Sequence, residues 1–197
     1  MILRSNLKRL LTAPAIITVI FLLIPLTAMQ FDNGVDWSSA DFIIAGFLIF
    51  STASAYKLLT YKYKANHYRA AIGLSLLSGL MLVWVNLAVG ILGSENNPVN
   101  LLYGIVLLAG LLGAIASGLK PAGLMYTMFT MAVLQISVPL AGIMIEKPAG
   151  MHVCEFLYKW HQQGFAGVAG VTIFFAALFA GAGLLFRNAA KLNQTGG

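Results

Sequence analysis

The chain has 197 residues, 59% hydrophobic and 9% charged, with mean hydropathy +0.86 and a formal net charge of +6. A water-soluble domain carries about 25% charged residues, so this composition excludes a soluble globular protein. The positive charges sit in short flanks of apolar runs, where membrane topology accounts for them, and nucleic-acid binding is set aside.

The apolar runs are continuous rather than alternating, which argues for membrane-spanning helices and against a β-barrel. About 20 residues at 1.5 Å rise cross a ~30 Å hydrocarbon core, and six runs have that length. The expected fold is therefore all-α: one polytopic transmembrane domain over residues 1–197, with six spans and a short external helix.

The first span, about 11–29, follows Arg4, Lys8 and Arg9. It is longer than the 7–15 residues of a signal-peptide core, so it reads as a retained helix. Pro14 falls near its inner end, and Pro25 is placed to kink the outer half. An acidic loop with Trp37 as interface anchor follows, and Ser38 or Ser39 caps the second helix with Asp41 in its first turn. The second span, 42–59, carries Ser51, Thr52 and Ser54, a set that permits close helix approach. Tyr56, Tyr61 and Tyr63 with Lys57, Lys62, Lys64 and Arg69 form an inner belt for anionic lipid headgroups.

The third span, 70–92, holds Ser75 and Gly79, a small-residue pair, and Asn86. An amide in hydrocarbon needs a partner. Either an interhelical hydrogen bond fixes packing there, or the amide faces a ligand. The fourth span, 101–119, has Gly104, Gly110, Gly113 and Gly118 as points of close contact. Pro121 and Gly123 then stop it and turn the chain. Spans three and four, and four and five, are expected as antiparallel hairpins. The fifth span, 124–145, has Met125, Met128, Met131 and Met144, read as gap-fillers rather than a soft-metal stripe. Gln135 falls near mid-membrane, one turn from Pro139, whose missing N–H frees a carbonyl that Gln135 is placed to satisfy.

In the following external segment, Val153, Phe156, Leu157 and Trp160 fall at i, i+3, i+4 and i+7. This spacing predicts an interfacial amphipathic helix over about 152–162. The sixth span, 165–186, has two small-residue pairs, Ala166 with Gly170 and Ala177 with Gly181.

Charge fixes the orientation. With a cytoplasmic N-terminus, Arg4, Lys8, Arg9, Lys57, Lys62, Lys64, Arg69, Lys120, Arg187 and Lys191 face inward, and only Lys147 and Lys159 face outward. All six acidic residues, Asp32, Asp36, Asp41, Glu95, Glu146 and Glu155, face outward. The positive-inside rule then puts both termini in the cytoplasm.

No catalytic signature is present: no GxSxG, HExxH, Walker loop or CxxC. The single cysteine rules out an intrachain disulfide. His152, Cys154 and His161 are poorly placed for one ion, because residues seven apart on a helix are ~10.5 Å apart along its axis. No cofactor or metal is expected, and no span holds a histidine for haem. The densest polar cluster is the turn WVNLAVGILGSENNPVN. Gly93 permits close backbone approach or an unusual dihedral, Asn96 or Asn97 caps the fourth helix, and Pro98 suits its start. Glu95 either accepts from the free N–H groups there or reaches Asn86 or Asn100 to bind a cation or polar headgroup. The candidate binding residues are thus Asn86, Glu95, Asn97, Asn100 and Gln135, with no catalytic residue assigned.

The run WVNLAVGILGSENNPVNLLY, with DFIIAGFLIFSTASAYKL and YRAAIGLSL, resembles an uncharacterised family of small bacterial polytopic inner-membrane proteins. The resemblance covers Asp41 to Tyr103. It implies a multi-span topology and names no activity, substrate or cofactor. Two function classes stay open. One is a non-catalytic component or accessory subunit of a membrane assembly, in contact with lipid and with a membrane protein partner or a second copy. The other is a small-molecule or lipid transporter, or a membrane-embedded enzyme, with its site at the outer end of spans three and four.

Overall fold

The computed structural model describes residues 2–31, 34–61, 65–94, 96–146, 150–152, 154–155 and 165–195. The described elements are all helical: α1 (Ile2–Ala28), α2 (Ser39–Thr60), α3 (Asn66–Ala88), α4 (Leu102–Ala116), α5 (Pro121–Glu146) and α6 (Phe165–Thr195). A 3-10 turn, Pro98–Leu101, leads into α4. Each of the six expected spans falls on a helix long and apolar enough to cross a membrane. Most of the expected interfacial helix, including Val153 and Trp160, lies outside the described residues. Within it, Cys154 and Glu155 are helical and exposed.

The helices cluster as two compact units, Met1–Lys64 and Ala65–Gly197. The first is the antiparallel pair α1–α2. Leu22 and Thr18 of α1 lie against Gly46 of α2, and Leu26 shares an apolar groove with Phe42. Of the two expected caps, Ser38 and Ser39, it is Ser38 that caps α2, and it does so in a capping box with Asp41: Ser38 Oγ accepts from Asp41 N–H, and Asp41 Oδ2 accepts from Ser38 N–H at 2.8 Å. Two otherwise orphan donors are satisfied by one local pair.

The second unit is a four-helix bundle. α5 packs along both α4 and α6, and α6 packs along α3. The α4–α5 hairpin is as expected, but the main partner of α3 is α6. α3 meets α4 where Leu107 touches the Gly79 position. The reason lies in side-chain volume. On α6, Phe175, Phe179, Ala182, Phe186 and Ala189 recur at helical spacing and are all buried. This broad aromatic stripe covers both α3 and α5. Tyr68 of α3 stacks edge-on to Phe186, ring centroids 5.7 Å apart.

Two glycines set the α4–α5 seam. A Cβ on Gly110 would fall 2.6 Å from Met131 Sδ, and one on Gly113 would fall 2.5 Å from Thr127. Gly104, expected to do the same, has nothing within 4 Å of its Cβ position. Met128 and Met131 are buried packing residues, Met128 receiving Ser75 Oγ at 3.1 Å. The α4–α5 reversal falls earlier than expected. α4 ends at Ala116, and Gly118 and Leu119 take left-handed φ values of 56° and 61°. Leucine is strained there by about 1–2 kcal/mol. Bonds from Leu119 N–H to Ala114 O (3.2 Å) and from Tyr68 hydroxyl to Leu119 O (3.0 Å) hold it. Pro121 then opens α5 rather than closing α4, a position where its missing N–H costs nothing.

Candidate functional site

Two polar regions of the bundle bear on function, the α3–α4 turn and the interior around Gln135. The turn is built from its own backbone. α3 ends at Ala88, and Gly90 and Gly93 adopt φ of 66° and 76°, a region open to glycine at little cost. The loop then folds back over Asn100, which is nine-tenths buried. Its Oδ1 accepts from Ile91 N–H at 3.1 Å and Leu92 N–H at 2.8 Å. Its Nδ2 donates to Leu92 O at 3.3 Å and Ser94 O at 2.7 Å. A primary amide has two donors and two acceptor lone pairs, so Asn100 is saturated and has nothing left for a ligand.

Asn97 is the expected cap. Its Oδ1 accepts from Val99 N–H at 3.0 Å, with Pro98 in the first turn position. Its Nδ2 donates to Glu146 Oε1 at the end of α5. Leu92 and Val99 press on Gly142, where an added Cβ would sit 3.1 Å and 3.2 Å from them. The turn is thereby fastened to α5 by one polar bridge and one apolar contact. The sequence reading did not assign Glu146 a partner. A carboxylate at a helix C-terminus opposes the helix dipole, and that was the available signal that it needed a local donor. Glu95 lies outside the described residues.

Asn86 makes no interhelical bond. Its Nδ2 turns back to Leu82 O at 3.2 Å on its own helix, and its Oδ1 is buried without a partner. These three amides therefore do not converge: Asn97 and Asn100 serve the turn, while Asn86 serves α3.

The interior is the opposite case. Gln135 has no exposed surface, and neither Oε1 nor Nε2 has a hydrogen-bond partner. It does not satisfy the carbonyl that Pro139 was expected to free. Two further buried hydroxyls are unpartnered, Tyr103 on α4 and Thr172 on α6. They face each other across the bundle without reaching hydrogen-bond geometry. Sequence reasoning missed both. Tyr103 shares the seam spacing of Gly110 and Gly113, seven and ten residues on, which marks it as inward-facing.

The α4–α5 contacts fix where these groups sit. Val99 lies against Gly142, Gly110 against Met131 and Gly113 against Thr127, a constant antiparallel register. That register sets Gln135 opposite Val106, with Tyr103 one turn nearer the α3–α4 turn. Ser75 on Met128 gives the parallel offset of α3 and α5, which brings Leu82 to the Gln135 level. Leu82 and Val106 have no exposed surface. Gln135 is thus an amide inside an apolar layer.

Among the described residues, no three of His, Cys, Asp and Glu converge as a metal site. The unpartnered polar side chains of the interior, Gln135, Tyr103 and Thr172, are neutral and able both to donate and to accept. Such a set binds and orients; it carries no group that would take a proton from a substrate near neutral pH. No protein-family model, curated protein or solved structure matches the chain.

Proposed function

We propose that this chain is a non-catalytic component of a membrane assembly, an accessory subunit of a bacterial inner membrane with both termini in the cytoplasm. The observation that carries this reading is the commitment of the α3–α4 turn to itself. The groups best placed for external chemistry, Asn97 and Asn100, are bonded to the turn backbone and to Glu146. Among the described residues of the turn, these two amides are spent on structure, which supports a structural element.

The α1–α2 pair supports the same reading. Only 11% of each membrane-crossing window there is buried, against 44% in α5. Its faces carry large apolar side chains, and Ser54 Oγ is buried without a hydrogen-bond partner. Such a hairpin has room for the helices of another membrane protein, where small and polar residues favour close packing. The orientation rests on charge. In the bundle, Arg69, Lys120 and Arg187 lie at the end where Tyr68 meets Phe186 and Leu119. Glu146 lies at the other end, beside Asn97.

The test is in-membrane crosslinking from single cysteines placed along α2, in a Cys154→Ser background, followed by mass spectrometry of the adducts. A reproducible adduct with one membrane protein, or with a second copy, supports a component role. Adducts to lipid alone from every α2 position would sink it. Reporter fusions at Gly34 and at the C-terminus test the orientation, and a periplasmic C-terminus would overturn it.

A further inference from the structure

Gln135, Tyr103 and Thr172 present a physical problem that protein atoms in the bundle do not solve. A buried amide without partners costs roughly 2–7 kcal/mol, depending on the reference state. In hydrocarbon no bulk water relieves it, so polar groups within membranes are paired or line a polar cavity. Here all three side chains are at least nine-tenths buried, and none of their polar atoms has a hydrogen-bond partner. They come from α5, α4 and α6, and the α4–α5 register puts Gln135 within one helical turn of Tyr103. The Tyr103 and Thr172 hydroxyls already face each other. A wholly unpartnered amide within one turn of two hydroxyls that have at most each other is more than one residue's misfit.

We infer that the α3–α6 bundle holds a neutral hydrogen-bonding guest between Gln135 and the Tyr103–Thr172 pair. The charge of the guest follows from the sequence. Residues 70–94, 101–119, 121–145 and 165–186 contain no Asp, Glu, Lys, Arg or His. An ion would meet no countercharge in that interior. The polarity follows from the side chains. A carboxamide and two hydroxyls each donate and accept, so the matching group also does both or presents a carbonyl or hydroxyl. Two sources supply that chemistry: ordered water, which typically makes about three hydrogen bonds in such places, and the head of an uncharged lipid. The apolar walls, Leu82, Val106 and Phe175, suit either one. Each exposes little competing polarity. This site is separate from the α3–α4 turn, and the component role does not depend on it.

The full chain in lipid nanodiscs, labelled with nitrogen-15 at glutamine side chains, tests the inference directly. The Gln135 amide pair is assigned by through-bond correlation to its own backbone, and magnetisation transfer to it is then measured. A cross-peak at the water frequency identifies water as the guest. Cross-peaks to lipid head protons identify a neutral lipid, which organic extraction of the wild type then recovers. Tyr103→Phe and Thr172→Val each delete one hydroxyl at almost constant shape, and each should reduce the guest cross-peak at least twofold. Gln135→Met, close in volume, should abolish retention of an extracted lipid. The inference is overturned if the wild-type amide pair shows transfer only to protein protons. A cross-peak indifferent to both hydroxyl variants would also overturn the site as drawn. Because the deciding measurement is made on the wild type, a variant that fails to fold does not rescue it.

Discussion

Asn100 and Gln135 are both primary amides buried in the same four-helix unit, and they are satisfied in opposite ways. Asn100 makes four hydrogen bonds, all to backbone groups within nine residues of it. Gln135 makes none. The difference is one of surroundings. Around Asn100 the chain has left helical geometry, so free N–H and C=O groups are within reach. Around Gln135 the neighbouring backbone N–H groups are spent on their own i→i−4 ladders, the one carbonyl that Pro139 leaves free is an acceptor on Gln135 itself, and Leu82 and Val106 at its level are aliphatic. An irregular turn consumes an amide; a regular helix layer leaves it for something else.

The largest effect should come from Asn100→Ala. It strands two buried N–H groups and two carbonyls, each net bond being worth about 0.5–1.5 kcal/mol and each orphan costing more. We expect a loss of about 3–5 kcal/mol in equilibrium unfolding in mixed micelles. A loss below about 1 kcal/mol would break the comparison, because water would then be serving the turn as well as the side chain does.

Next is the seam that carries both regions. Gly110→Val drives a branched side chain into Met131, and overpacking of this kind costs about 1–3 kcal/mol. Gly104→Ala meets nothing within 4 Å and replaces the poorer helix former, so it should stabilise by up to about 1 kcal/mol. Opposite signs at two glycines six residues apart would confirm the register that sets Gln135 beside Val106. Equal effects would remove it.

Asn97→Ala should cost about 1–2 kcal/mol, as the loss of a cap does. Part of that cost belongs to Glu146. A double-mutant cycle with Glu146→Ala should return a coupling of about 0.5–2 kcal/mol. A coupling near zero would leave the turn held to α5 by the Leu92 and Val99 contact with Gly142 alone and the cap as Asn97's one role.

What the sequence made legible was local. Six spans follow from run length. A cap at Ser38 or Ser39 with Asp41 in the first turn, a cap at Asn96 or Asn97, and Pro98 in the first turn position follow from spacing of three residues or fewer, while the choice of Ser38 and Asn97 came from the structure. Gly93 was read as a site of unusual dihedral, and it has one. What stayed hidden was non-local. Asn97 meets Glu146 across 49 positions, and the pairing of α3 with α6 depends on a phenylalanine stripe a hundred residues away. Gly104 and Gly110 look alike in the sequence, and only the α4–α5 register separates them. Gln135 was legible as an amide in the membrane, but its lack of partners was not, because that depends on what four helices bring to one level. Conversely, Asn100 read as a candidate ligand group because its four partners are backbone atoms, which no residue pattern displays.

The smallest effect tests the boundary between the two cases. Asn86 is half satisfied: its Nδ2 reaches Leu82 O at 3.2 Å, and its Oδ1 has no partner. The Leu82 carbonyl already receives the Asn86 backbone N–H in the helix ladder, so the side-chain bond is a second, weaker claim on it. Asn86→Leu would lose that bond, about 0.5–1 kcal/mol at most. It would gain about 0.5 kcal/mol in helix propensity and would relieve an unpartnered carbonyl oxygen worth at least about 1 kcal/mol. The net change should therefore be a stabilisation of about 1 kcal/mol or less, seen as a small rise in unfolding midpoint in the same micelles. A destabilisation above about 1 kcal/mol would show that Oδ1 is held by a partner outside α3, and Asn86 would then join Gln135 and Tyr103 as part of an occupied interior. A stabilisation as expected confines that interior to the three side chains on α4, α5 and α6.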